Sequence, residues 1–234
     1  MVRMPESALR LDRVTLAFRV TETTLIEDFS LSISPGQIVT IMGPSGSGKS
    51  TLLAYAGGFL DRTAFRATGT VSLGDNRLDD KPAAARRLGI LFQDPVLFPH
   101  LSVGGNLLFG LSRDRHQSGR DQRAVVDEAL ASAGLAGFGS RDPATLSGGQ
   151  KARVALLRTL LAAPSALLLD EPFGKLDAAL RAYIRSLVFA QARERRLPTL
   201  LVTHDPADAA AADGLAFAID GATLRPLPAA ELSP

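Results

Sequence analysis

Short apolar runs, almost unbroken by polar residues, recur along this chain. Ile38 to Met42 reads "IVTIM", Gly89 to Phe92 "GILF", Ala166 to Asp170 "ALLLD" and Thr199 to His204 "TLLVTH". Runs this short without alternation predict buried strands. Helical stretches separate them, which predicts a parallel sheet covered on both faces. The earlier segments "LRLDRVTLAFRV", "TLIEDFSLSIS" and "GTVSLGDNRL" alternate instead and predict an antiparallel layer with one wet face. Near the end, "LAFAIDGATLRPL" sets Asp220-Gly221 between two apolar runs, a hairpin signal.

Between Asp94 and Ala163 the pattern turns helical. "RDQRAVVDEALASAGL" spaces its apolar residues for a helix and stops at a glycine. "SGGQKARVALLRTLLAAP" opens on a serine cap and stops at Pro164, which puts Val154, Leu157 and Leu161 on a core face. No internal repeat and no low-complexity segment interrupts this order.

Composition narrows the picture. A chain of 234 residues, 46% hydrophobic and 21% charged, suits one sizeable domain with room for a subdomain. A net charge of +2 does not argue for nucleic acid, which prefers a concentrated basic face, so nucleic acid is not the expected partner. The absence of cysteine excludes disulfides, thiolate metal sites and cysteine nucleophiles. The N-terminal "MVRMPESALRLDRV" lacks a signal-peptide core, and no run of 18 apolar residues appears. The expectation is a soluble cytoplasmic protein that reaches a membrane only through a partner.

The glycine-rich stretch after "IVTIM" carries the first chemistry. Gly43, Pro44, Ser45, Gly46, Ser47, Gly48, Lys49 and Ser50, followed by Thr51, match G-x-x-x-x-G-K-[ST] between a strand and a helix. The glycines let backbone N–H groups converge on phosphate oxygens, and the following helix adds its positive end. Lys49 suits the terminal phosphates of ATP, and the Ser50 hydroxyl suits Mg²⁺. The plainer reading is a flexible glycine turn with an incidental lysine. The strand–loop–helix setting favours nucleotide binding.

Asp170 and Glu171 end the run "ALLLDE". One carboxylate there can hold Mg²⁺, and its neighbour can act as general base for a water. Two solvated residues at a strand end are the alternative. His204 follows another apolar run, and Gln93 follows a third; each alone reads equally as an ordinary surface residue.

"LSGGQ", Leu146 to Gln150, places a second glycine-rich turn at a helix head. Ser147-x-x-Gln150 is a capping box. A capping box does not need two glycines, and glycine costs about 1 kcal/mol in a helix relative to alanine. Bare backbone at a helix N-terminus is an anion site. With no second lysine-bearing loop, the better hypothesis is one nucleotide shared between two chains.

Taken in order, "GPSGSGKST", "LFQDPVLFPHLSV", "LSGGQKARVALLR", "ALLLDEP", "KLD" and "VTHD" resemble the ATP-binding subunits of ATP-binding cassette (ABC) transporters. The resemblance covers almost the whole chain, and "LSGGQ" separates this family from other P-loop proteins. It implies an α/β fold: a P-loop NTPase (RecA-like) core with a parallel sheet, an antiparallel β subdomain and an inserted α-helical subdomain. Residues 1–93 and 164–234 would form the core and β layer, and 94–163 the helical part.

Residue by residue, the resemblance implies ATP binding by Gly43 to Thr51 and by Phe18, stacked on adenine, or else one more apolar strand residue. Gln93 matches the hinge glutamine that touches the metal. Ser147, Gly148, Gly149 and Gln150 match the signature that binds the opposite subunit's ATP. Asp170 matches the metal-side aspartate, with Ser50 and Gln93 completing the metal set. Glu171 matches the catalytic glutamate, and His204 the histidine at the γ-phosphate. Asp177 matches the aspartate that crosses the dimer interface.

The cofactors implied are ATP and Mg²⁺. The partners implied are a second ATPase subunit, an integral membrane permease and, indirectly, a periplasmic solute-binding protein. The place implied is the inner face of the cell membrane. "LFQDPVLFPHLSV" and "LDEPFGKLDAALR" lean towards bacterial small-solute importers, here expected without the C-terminal regulatory β domain of longer members. An exporter subunit, a non-transport ABC ATPase and a catalytically silent module are the alternatives. Departures from the usual pattern are Lys175 beside Asp177, Gly104 and Gly105 in "SVGGNL", and a long link in "GGFLDRTAFRATGTV".

Overall fold

The structure is a computed structural model that describes residues 7–111, 119–174, 176–228 and 231; Lys175 lies outside the described residues. The described chain forms two compact units. The first comprises 90 and below, 165–171 and 185 onward; the second comprises 91–164 and 172–184.

In the first unit, β1 (Leu9–Phe18) pairs antiparallel with β2 (Thr24–Ile33) and β4 (Phe65–Leu73), and β4 pairs with the short β5 (Asn76–Arg77). Their order is β2-β1-β4-β5. Leu9 and Leu11 face the core, two exposed residues follow, and Val14 and Leu16 face it again. The register shifts at that point, with Arg13 at φ 48. The extra residue keeps both halves of the strand on the same apolar face.

The second sheet runs β10 (Thr223–Leu227), β9 (Ala216–Asp220), β3 (Ile38–Met42), β8 (Thr199–Thr203), β7 (Ala166–Asp170), β6 (Leu88–Leu91). β9, β3, β8 and β7 pair in parallel, and β10 closes the expected hairpin antiparallel to β9. β6 sits one residue earlier than its apolar run, and Phe92, just past it, is 42% exposed. Val39, Ile41, Leu168, Leu200 and Val202 share one core with Leu52 and Leu53 of α1 (Lys49–Gly57) and with β1 and β2. Buried Arg86, in the one-turn helix α2 (Ala83–Arg86), donates to the carbonyls of Tyr55 and Ala56, the last turn of α1. The end of a helix leaves carbonyls without intrahelical partners; the Tyr55 carbonyl also accepts from Gly58 N–H at 3.2 Å.

The second unit packs α3 (Val103–Gly110), α4 (Gly119–Ser132) and α5 (Gly148–Leu161). Val103 and Leu107, Val126 and Leu130, and Val154 and Leu157 supply the contact stripes, with Leu161 partly buried beside them. The fully buried Asn106 donates through Nδ2 to the carbonyls of Phe98, Leu101 and Ser102, and its Oδ1 accepts from Phe98 N–H. One amide thereby fixes the loop that follows Gln93. α6 (Ala178–Glu194) begins in the second unit and continues into the first, and α7 (Pro206–Ala212) follows β8.

Candidate active site

β3, β8 and β7 are parallel neighbours, so their carboxyl ends lie side by side. Met42 is level with Thr203, and Asp170 with Val202. Each strand is buried along its apolar run; β3 passes into the glycine loop, β7 ends on Asp170, and β8 ends on Thr203 just before His204. The phosphate-loop sequence follows β3, Asp170 and Glu171 close β7, and His204 follows β8. Open parallel sheets bind ligands at this edge.

The loop turns into α1 at Gly48, which has φ 98. A Cβ there would stand 3.1 Å from Leu25 Cβ, so left-handed backbone and close packing both demand glycine. Lys49, only 5% exposed, donates to the carbonyls of Gly43 at 2.7 Å and Pro44 at 2.8 Å. Burial pushes the Lys49 ammonium below its ordinary pKa, against the pull of Glu171 and Asp170. Ser50 Oγ donates to Asp170 Oδ1 at 2.9 Å. Burial pushes the Asp170 carboxyl up and the Glu171 charge adds to it, while Ser50 and Lys49 oppose.

Glu171 Oε2 lies 3.2 Å from His204 Nδ1. Glu171 has φ 43, left-handed backbone that costs a side-chain-bearing residue roughly 1–3 kcal/mol. Its N–H donates to the Val202 carbonyl at 3.0 Å, which ties the strained residue to β8. Ser47 Oγ is buried without a hydrogen-bond partner among the described residues.

Phe18 ends β1, 38% exposed, with its ring centroid 5.0 Å from that of Phe65. Its N–H closes the hairpin to Thr23, and the returning strand brings Leu25 to Gly48.

Three residues of this site had no motif to announce them. Asp208 in α7 is 3% exposed. Its Oδ1 accepts from Arg185 Nη1 at 2.9 Å and its Oδ2 from Thr203 Oγ1 at 3.2 Å. Thr203 Oγ1 in turn accepts from Asp205 N–H at 3.1 Å. Burial pushes Asp208 up, and the Arg185 hydrogen bond opposes. The network brackets His204 on both sides. No sequence signal marked Asp208, because alanine fills every face of α7.

Gln93, Ser147 to Gln150 and Asp177 belong to the second unit. Gln93 is exposed, just beyond β6. Ser147 caps α5 with the full capping box: Ser147 N–H donates to Gln150 Oε1 at 2.9 Å, and Gln150 N–H to Ser147 Oγ at 3.3 Å. Ser147 and Gly148 are exposed and Gly149 is buried. Asp177 is exposed, and its Oδ1 accepts from Leu180 N–H at 3.0 Å, opening α6.

Residues 26–174 match the family model described as ABC transporter. The chain belongs to the ABC transporter family. It is 48% identical over 202 residues to the uncharacterized ABC transporter ATP-binding protein YnjD of Escherichia coli (strain K12), covering 85% of this chain and 92% of that protein. It is 42% identical over 225 residues to the thiamine import ATP-binding protein ThiQ of Cereibacter sphaeroides, covering 96% and 94%. It spans about half the length of the sulfate/thiosulfate import proteins that it also matches. A solved dimer of the ATP-binding cassette MJ0796, in a post-hydrolysis state with ADP and Pi, superposes with TM-score 0.79 at 30% identity, covering 94% of this chain and 98% of that one. The fold is therefore the α/β P-loop ATPase domain of ABC proteins, as the motifs implied. No helix among the described residues is long and apolar enough to cross a membrane.

Proposed function

We propose that this chain is the ATP-hydrolysing subunit of an ABC importer for a small solute, working as a pair beneath a separate membrane permease. The observation that carries the reading is the convergence of Lys49, Ser50, Asp170, Glu171 and His204 at the ends of neighbouring parallel strands.

Gly43 to Thr51 wrap the phosphates of ATP, with Phe18 under the adenine. Lys49 exchanges the carbonyls of Gly43 and Pro44 for phosphate oxygens. The unpaired buried hydroxyl of Ser47 gains an acceptor there. Ser50 and Asp170 are hard oxygen donors already in contact, a fit for Mg²⁺. Among the described residues no three His, Asp or Glu side chains gather to hold a metal unaided. Mg²⁺ then needs nucleotide oxygens and water as further ligands, and when bound it neutralises developing phosphate charge.

Glu171 takes a proton from the attacking water as the oxygen–phosphorus bond forms and the bond to the β–γ bridging oxygen breaks. His204 and Lys49 stabilise the charge on the γ-phosphoryl oxygens. Ser147 to Gln150 close on the partner chain's ATP, and Asp177 crosses the interface. In the second unit, Val96 and Phe109 are 59% and 69% exposed, and Phe109 is T-stacked on Phe98. These exposed apolar side chains are candidates for the permease contact. The similarity to thiamine and sulfate/thiosulfate import ATP-binding proteins supports small-solute import.

The test is ATP turnover by the purified chain and by Glu171→Gln. Turnover falls by about 10²–10⁴-fold in the variant, the range for loss of a general base, while ATP still binds. Near-normal turnover in the variant rejects the assignment.

A further inference from the structure

Gly148 and Gly149 stand together at the head of α5, but their surroundings differ. A Cβ on Gly148 would meet nothing within 4 Å. A Cβ on Gly149 would lie 1.9 Å from Leu180 Cδ2 and 3.1 Å from Leu180 Cγ. Leu180 is half-buried in the first turn of α6, three residues after Asp177, and its N–H is the donor to Asp177 Oδ1 at 3.0 Å. The Asp177 carbonyl accepts from Arg181 N–H at 2.8 Å. All of these groups lie in the second unit. The side chain that follows Asp177 is thus seated on bare backbone at the start of the signature helix.

We infer that Leu180 is a positioning residue: its seat on Gly149 holds the Ser147–Gln150 turn and Asp177 at a fixed spacing, so both meet a second copy of the chain as one surface. The inference rests on the proposed dimer-facing roles of that turn and of Asp177. Ser147, Gly148 and Asp177 are all exposed, as such a surface requires. Gly149 is buried, so its missing side chain is explained within the chain. The two glycines then serve different ends. Gly148 leaves room for something outside the chain, and Gly149 leaves room for Leu180.

A size swap tests this. Gly149→Ala drives the flexible end of Leu180 out towards solvent, and Leu180→Ala leaves the seat empty. The double variant sets the new methyl of residue 149 against that of residue 180 and restores contact. ATP turnover, ATP affinity and melting midpoint are measured for the unmodified chain and the three variants. Both single variants lose turnover and the double variant regains it, a non-additivity of about 2- to 100-fold for residues in contact. ATP affinity of the isolated chain stays constant throughout, because the phosphate loop is untouched. If Gly149→Ala melts early, recovery of the midpoint in the double variant reads the same contact.

A double variant no more active than Gly149→Ala overturns the inference, as does a fully active Gly149→Ala. An unmodified chain that does not hydrolyse ATP overturns the functional reading first, and the inference with it.

Discussion

Asp170 sits where burial disfavours its charge. Burial holds its pKa above the ordinary aspartate value, so the ionised form is the costly one in the folded chain. For an acid with a raised folded pKa, stability is highest below that pKa and falls as pH rises through it. Asp170→Asn removes the cost at neutral pH. Without nucleotide, the variant melts higher than the unmodified chain at pH 7, by about 2–4 °C for each kcal/mol relieved. The gap closes as pH falls through the raised Asp170 pKa. With Mg²⁺ and ATP the variant binds more weakly than the unmodified chain, because the proposed metal ligand is gone. Melting curves from pH 7 down to the carboxylate range check the sign. Gly148 gives a second expectation at this scale. Gly148→Ala meets no neighbour and gains up to about 1 kcal/mol of helix propensity. Its fold is therefore intact or firmer, while ATP-driven pairing and turnover drop if a partner's nucleotide approaches that backbone. Circular dichroism and an ATPase assay on the same sample separate the two effects.

The elements of the site were legible to different degrees. β3, β7 and β8 could be read because a parallel strand covered on both faces is nearly all apolar, and in β7 and β8 the first ionisable residue comes at or just past the end. That rule placed Asp170 and His204 at strand ends before any geometry was known. It could not place the network behind them. Asp208 sits in "PADAAAA", where alanine fills every face and no apolar–polar contrast marks the inner one. Arg185 of α6 lies 23 residues away in sequence and meets it only in the folded chain. The left-handed Glu171 was equally silent, since nothing in "LLLDEP" signals φ 43. For this element the expectation is destabilisation. Asp208→Ala strands a largely buried guanidinium and frees the Thr203 hydroxyl, at a cost of roughly 3–5 kcal/mol for breaking a buried pair. Denaturant unfolding measures it. A loss under about 1 kcal/mol would mean that Arg185 finds solvent instead.

At the scale of the molecule, one nucleotide is proposed to bring two chains together. The capping box at Ser147 is present in full and accounts for the start of α5 without any ligand. Sequence alone suggested that two glycines exceed what a cap needs. The structure divides the surplus: Gly149 answers to Leu180 inside the chain, and Gly148 faces outward. The outward half is what a second chain would use. The measurement that bears most directly on this claim is the mass of Glu171→Gln in solution, by light scattering, with Mg²⁺ and either ATP or ADP. The chain weighs 24.7 kDa. Shared sites require that mass to double with ATP and to remain single with ADP. A chain that binds ATP tightly and stays at its single mass would contradict the shared site and leave each nucleotide to one chain alone.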